Sequence, residues 1–427
     1  MSGTARNSRA TFPMTPDPRP NARAWLIVGL LWFVAFFNYL ARITITTMHG
    51  SIVHSIPMTE TQFGLLTSSF LWIYGLLSPA AGFLSDRFSR SRVIVCSLFA
   101  WSALTWLTAY ATNFQELLIM RALMGASEAC YLPAGLALIT DYHRGPTRSL
   151  ATGVHMTGIM FGQALGGFGG WLAETRSWNF AFVVMGVSGV AYAVVLFFAL
   201  RDAPREGIAS EAKAAAPSAQ FLPALASLFK NSAFVLVLCF WGLLGIVGWA
   251  VVGWMPVFVQ EHFHMGQGEA GFSATLYVNI AALIGVLVGG AWADRWAKKN
   301  ELGRIYVVVV GLCVAAPAIL LTACSNVFFF TILGLVLFGV ARAFSDSNMM
   351  PILCLVSDPR YRATGYGVLN ACACIVGGVA IYAGGALRDA HVDLSRVFQF
   401  SAASIVVCAA LLFLVKRHRS FAAPAAP

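Results

Sequence analysis

The chain reads as long apolar stretches separated by short polar breaks. A helix needs roughly 20 mostly apolar residues to cross a bilayer. Twelve stretches meet that need: 24–46, 62–84, 93–111, 115–140, 149–171, 178–200, 232–258, 270–293, 303–323, 327–355, 364–387 and 396–415. A polar interruption separates the sixth from the seventh. It opens with RDAPREGIASEAKAAAPSAQ, rich in Ala, Ser, Pro and charge, and reads as a linker. The next ten residues, 221–230, place apolar side chains at helical spacing. They predict a short amphipathic helix on the membrane surface, limited by Pro223 to one or two turns. The expected organisation is a polar tail (1–23), a six-helix bundle (24–200), a linker (201–230), a second six-helix bundle (231–415) and a closing tail (416–427). Residues 1–23 carry no cleavable signal pattern, so the first apolar run is expected to be the first anchor.

Composition narrows the class. Of 427 residues 58% are hydrophobic and only 11% charged, and mean hydropathy is +0.74. A soluble domain carries about 25% charged residues, so a soluble enzyme, a disordered chain and a nucleic-acid binder are all excluded. A transmembrane β-barrel, with alternating strands and a polar lumen, is excluded too. The net charge of +10 has a topological origin. An even number of crossings puts both termini on one side, and that side with its loops holds 22 of the 28 Lys and Arg residues. The opposite loops hold three (Arg176, Arg388, Arg396), and Arg42, Arg121 and Arg342 lie within spans. Positive loops stay cytoplasmic, which predicts two cytoplasmic termini. The chain has no N-x-S/T site, which fits a bacterial plasma (inner) membrane.

The halves repeat. Gly82-Phe-Leu-Ser-Asp86-Arg87-Phe-Ser-Arg90 follows the second span, and Gly290-Ala-Trp-Ala-Asp294-Arg295-Trp-Ala-Lys298 follows the eighth. Arg148-Ser-Leu-Ala-Thr152-Gly153 is echoed by Arg362-Ala-Thr364-Gly365 at the eleventh. Internal repetition of six-span halves marks a rocking transporter. The repeated GxLxDRxxR loop resembles the signature of the major facilitator superfamily, over about residues 24–415. The glycine permits close helix approach, Asp86 can latch one conformation against cationic groups or a helix end, and Arg87 and Arg90 anchor the loop. Gly290, Asp294 and Arg295 are the counterparts.

Charge inside a membrane is costly, about 2.5–3.5 kcal/mol per group on insertion scales. Arg42, Arg121, Glu128, Arg342 and Asp346 all lie within spans. Arg121 and Glu128 are seven residues apart, so they share one helix face about 10 Å apart, with Gly125 leaving room between them. Spans 1 and 4 can line one cavity, giving two arginines and one carboxyl. Arginine binds carboxylates bidentately, and a carboxyl shielded from water can exchange a proton near neutral pH. A structural Arg–Glu network is the plainer alternative. Arg342 and Asp346, four apart, can neutralise each other, and Asp346 is the one candidate proton site in the second half.

The match narrows at Asn38-Tyr39-Leu-Ala-Arg42, Tyr74, Arg121-x3-Gly125-x2-Glu128, Trp254-x-Pro256 and Asn370, which resemble the anion:cation symporter family of sugar-acid and sialin-like carriers. The resemblance implies that Arg42 binds or gates a substrate carboxylate, with Tyr39, Tyr74 and Asn370 touching substrate and Trp254 on the same path. It also implies that Arg121 switches Arg42 and that Glu128 carries a proton. The family usually has aspartate where this chain has Ala41, so a facilitator or exchanger is an open alternative. Spinster-like lysolipid carriers share much of the pattern, including Pro133-Ala134. Drug–proton antiporters resemble the glycine-rich fifth span but carry proline where Gln163 stands. Gln163 can hydrogen-bond in the cavity. A membrane-embedded enzyme would need a catalytic cluster or an HExxH, and a sensor a sizeable soluble domain; the spans and short tails show none. No GxxxxGK[ST] loop is present, so the driving force is expected from a gradient. No cofactor or metal is expected: the nine cysteines form no CxxC, and His262-Phe-His264 is poor metal spacing. His155 is expected to be a neutral packed residue. The expected partners are a small organic anion, protons and lipid, with monomeric function as in the superfamily.

Overall fold

The structure, a computed structural model, describes residues 22–143, 147–203, 221–300, 302–357 and 361–415. Within these, the side chains of residues 82, 83, 85, 86, 221, 222, 224 and 363 are not described. The expected tails and most of the linker therefore lie outside the described residues, as do the surroundings of Gly82 and the side chain of Asp86.

The described chain is helical throughout. The first half comprises α1 (Ala22–Thr47), α2 (His49–Ser55), α3 (Glu60–Arg87), α4 (Arg90–Thr108), α5 (Phe114–Glu128), α6 (Tyr131–Tyr142), α7 (Arg148–Ala164), α8 (Gly167–Thr175) and α9 (Trp178–Ala199). After α10 (Phe221–Lys230) come α11 (Ser232–Phe263), α12 (Gln267–Ala297), α13 (Gly303–Cys324), α14 (Phe328–Val356), α15 (Arg362–Asp389) and α16 (Leu394–Val415). The helix at 221–230 forms as the spacing predicts but runs longer than one or two turns. Pro223 sits in its first turn, where its missing N–H would have had no helical partner.

Polar caps stand where helices emerge. Thr59 and Gln62 close a capping box on α3, and Ser89, Asn113, Ser177 and Asn231 accept backbone N–H groups at the starts of α4, α5, α9 and α11. Each serves donors that a helix start leaves without partners. Among the described residues, eleven helical stretches are long and apolar enough to cross a membrane, α5 and α6 together making one. The fifth expected span is divided at Leu165–Gly166 into α7 and α8, each too short alone. Counted as one crossing, this pair completes twelve.

The two bundles meet along two seams: α3 packs on α15, and α12 packs on α7 and α8. These are the second crossing with the eleventh and the eighth with the fifth. Exchanging the halves maps one seam onto the other, so the pseudo-two-fold is visible in the packing. Contacts between the bundles gather at the end away from residues 22 and 415, here the far end. On the α3–α15 seam, Asp389 accepts the backbone N–H groups of Glu60 and Thr61 at 3.0 and 2.8 Å. The backbones come so close that a Cβ on Gly385 would lie 2.2 Å from the Glu60 carbonyl oxygen. On the other seam, Gln267 donates to Ser51 at 3.0 Å, and Glu174 accepts from the Gly268 N–H at 2.9 Å.

At the opposite, terminal end the ion pairs seen among the described residues lie within single bundles: Arg90 with Asp141 in the first and Arg304 with Asp294 in the second. No ion pair joins the bundles there among the described residues. Among the described residues, the ion pair between the bundles, Arg388 with Glu60, lies at the far end.

Candidate functional site

The site grows from three helices of the first bundle. α1 contributes Asn38, Tyr39 and Arg42, α3 contributes Phe70 and Tyr74, and α5 contributes Arg121 and Glu128. Arg42 donates from Nε and Nη2 to Glu128 Oε2 at 3.3 and 2.9 Å, and from Nη2 to Asn38 Oδ1 at 3.4 Å. Its guanidinium lies 4.4 Å from the Tyr39 ring centroid, 4.8 Å from Phe70 and 4.6 Å from Tyr74. Arg42 is 5% exposed and Glu128 1%. An ion pair this buried is held by mutual need, since removing one partner strands the other; such losses cost about 3–5 kcal/mol.

Arg121 forms no hydrogen bond or ion pair with Glu128 and is held instead by an aromatic ring and a sulfur. Its guanidinium rests 4.9 Å from the Phe70 centroid, and Nη1 reaches Met124 sulfur at 3.3 Å. Among the described residues it forms no ion pair, and its Nε, like Glu128 Oε1 and Asn38 Nδ2, has no hydrogen-bond partner. The room expected beside Gly125 is filled by α3: a Cβ there would lie 2.5 Å from the Phe70 carbonyl oxygen. That close approach brings the Phe70 ring within 5 Å of both guanidinium groups, at 4.8 Å from Arg42 and 4.9 Å from Arg121. The buried cluster therefore carries two guanidinium charges against one carboxylate.

The second bundle faces this cluster across α15. Cys374 is 3.0 Å from the Cβ position of Gly75, one residue beyond Tyr74. Asn370 lies one helical turn from Cys374 toward the terminal end and is half-buried. On α14, Arg342 pairs with Asp346 at 3.0 Å, both side chains about a third exposed (30% and 32%). They are more exposed than the Arg42–Glu128 pair. Gln163 is half-buried and lines a small cavity with Ile43, Val251 and Asn279, with room for about one water.

Other residues fall elsewhere. Trp254 is fully buried, donates to the Ile381 carbonyl at 3.0 Å and packs on Phe63 and His49. It stands about two turns beyond Cys374 toward the far end, so it belongs to the closure, not to the Arg42 cluster. Arg388, expected in a loop, is the last-turn cation of α15. It pairs with Glu60 across the seam at 3.1 Å and with Glu261 at 2.7 Å. Its burial came from a partner helix, which local hydropathy does not register. Of the repeated loop, Arg87 and Arg295 are exposed. Arg90 also donates to the Ala137 carbonyl at 3.1 Å. Gly290 makes no close helix contact, its nearest neighbour being Ser347 Cβ at 3.9 Å from a built Cβ. His155 is fully buried, edge-on to Tyr131.

Comparison with known proteins fixes the family. Residues 31–303, more than half of the chain, match the Major Facilitator Superfamily. The chain belongs to that superfamily. Among superfamily relatives, a probable galactarate/D-glucarate transporter of Escherichia coli (strain K12) is 25% identical over 332 residues, 71% of this chain and 74% of that protein. An MFS-type efflux pump of Mycolicibacterium smegmatis is 25% identical over 378 residues, 87% of this chain and 86% of that protein. Drosophila melanogaster protein spinster is 26% identical over 302 residues, 69% of this chain but 49% of that protein. The crystal structure of a bacterial homologue of the human lysosomal transporter Spinster, inward-facing and unoccupied, shares the fold. Its TM-score is 0.78 at 20% identity, covering 94% of this chain and 100% of that one. The protein is therefore a membrane transporter of the superfamily, not an enzyme.

Proposed function

We propose that this transporter moves a small organic anion, a sugar acid or another carboxylate, by alternating access coupled to protons through Glu128. The observation that carries the reading is the buried cluster of Arg42, Arg121 and Glu128, one carboxylate short of neutrality. An arriving carboxylate takes Arg42 as its bidentate partner. Glu128, released, then binds a proton. The loaded site, with one anion and one proton, has the same net charge as the empty one, so Ala41 need not supply a second carboxyl. Tyr39 and Tyr74 flank the bound group, Arg121 draws Glu128 away from Arg42, and Asn370 and Asp346 border the substrate from the second bundle. The repeated Gly82–Arg90 and Gly290–Lys298 loops latch the terminal end when it closes. The chain acts as a monomer in a bacterial inner membrane with both termini cytoplasmic, residues 24–200 and 231–415 rocking as two bodies.

Export of an amphiphile or drug is the second reading, favoured by the coverage of the Mycolicibacterium smegmatis pump. The two separate in proteoliposomes given a panel of sugar acids, other carboxylates and lysolipids, with and without an inward proton gradient. Gradient-driven accumulation of a carboxylate, lost in Glu128→Gln, supports symport. Transport that only equilibrates, in wild type and variant alike, refutes the proton coupling. Movement of lysolipid and no carboxylate refutes the anion reading.

A further inference from the structure

A groove of about 470 Å³ opens on the side of the first bundle, and all its lining residues belong to that bundle. None of the Arg42-cluster residues and no residue of the second bundle lines it. Phe88 at the end of α3 forms one wall, and Val93, Cys96 and Ala100 of α4 form the other. Those α4 residues recur at three- and four-residue spacing and line one helix face. Ser97, Ser127 and Cys130 make the floor. The floor's hydroxyls are already used: Ser97 bonds the Ser127 carbonyl, and Ser127 bonds the Met124 carbonyl at 2.9 Å. A polar occupant would find little to bond, whereas an apolar one loses nothing.

The mouth differs. Arg92 lines it and is exposed, at the level where Arg87 also emerges. The Asp202 carboxylate nearby is engaged by the Ser89 hydroxyl and by the Ser91 N–H at 2.8 Å. From Arg92 to Ala100 the helix rises about 12 Å, most of the depth of one leaflet of a hydrocarbon core about 30 Å thick. A cationic mouth at headgroup level above an apolar trough of that length matches one molecule class. We propose that this groove binds one acyl chain of an anionic glycerophospholipid from the leaflet at the terminal end, with its phosphate on Arg92. The chain fills the space between α3, which packs chiefly on α15 and α5, and α4, which packs chiefly on α9 and α5; the two helices touch each other little.

The test uses the full-length protein, equilibrated in vesicles of equal phosphatidylglycerol and phosphatidylcholine, extracted and analysed by native mass spectrometry for retained lipid. Wild type is expected to retain phosphatidylglycerol preferentially. Arg92→Gln lowers that preference about fivefold, as one cation near a membrane surface is worth, and leaves chain binding intact. Ala100→Trp fills the trough and abolishes retention of both lipids. Cys96→Trp, on an exposed face, gives the same result if the first variant does not fold. Free glycerol phosphate does not bind, because the chain supplies the affinity. Equal retention of the two lipids, undiminished retention in both tryptophan variants, or saturable binding of glycerol phosphate alone overturns the proposal.

Discussion

Replacing Asp389 with alanine tests whether the far-end seal sets the resting conformation. Asp389 stands on α15 of the second bundle and accepts the first two backbone N–H groups of α3 in the other bundle, together with the Thr61 hydroxyl. These contacts exist only while the far end is closed, so their loss shifts the equilibrium by their full differential value. Hydrogen bonds to a charged group are worth about 1.5–3 kcal/mol when shielded. Asp389 is exposed, and screening reduces such contacts to below about 1 kcal/mol each. Allowing also for a carboxylate at a helix start, the set is worth about 1.5 kcal/mol, roughly tenfold in population. Spin labels at Tyr110 and Val327, in far-end loops of the two bundles, report the separation by pulsed electron resonance. The expected result is a longer-distance population about tenfold larger in Asp389→Ala. Thr61→Val should give a smaller shift in the same direction. A change below twofold in Asp389→Ala would show that apolar packing, not this cap, holds the seal.

Other perturbations address the site itself. Gly125→Ala drives a methyl against the α3 backbone at Phe70, and overpacking of that kind costs about 1–3 kcal/mol; a fall in melting temperature accompanied by weakened substrate binding is expected, and unchanged melting refutes the close contact. Trp254→Phe removes the hydrogen bond to the Ile381 carbonyl but leaves the Arg42 cluster intact. Substrate dissociation constants should stay within about twofold while the far-end distances broaden, since a lost buried hydrogen bond costs about 1–3 kcal/mol; a tenfold loss of affinity would put Trp254 in the binding site after all.

Much of the architecture was legible because membrane burial is written locally. Twenty apolar residues announce a crossing wherever they occur, and the Gly82 and Gly290 loops announce the repeat. Arg42, Arg121 and Glu128 were visible for the same reason, as charges in apolar surroundings. Their pairing was not. Residues 42 and 128 come together only through the packing of α1 on the helices around it, and Phe70, whose ring both arginines approach, is one phenylalanine among 32 in the sequence. The division of the fifth crossing at Leu165–Gly166 also escaped a reading by hydropathy, because α7 and α8 together keep the length of one span. Arg388 and Glu60 look like ordinary loop-edge charges until the bundles are set side by side.

The pseudo-symmetry of the two seams does not extend to their chemistry. Across α3–α15 run the Arg388–Glu60 pair and the Asp389 cap, whereas no ion pair crosses α8–α12 among the described residues, where Gln267, Ser51 and one carboxylate-to-backbone bond hold the surfaces. Ionic contacts weaken as salt rises, and neutral ones largely do not. The molecule thus has one edge whose contacts answer to the surrounding electrolyte and one whose contacts mostly do not. Raising the salt concentration should therefore loosen the α3–α15 edge before the α8–α12 edge.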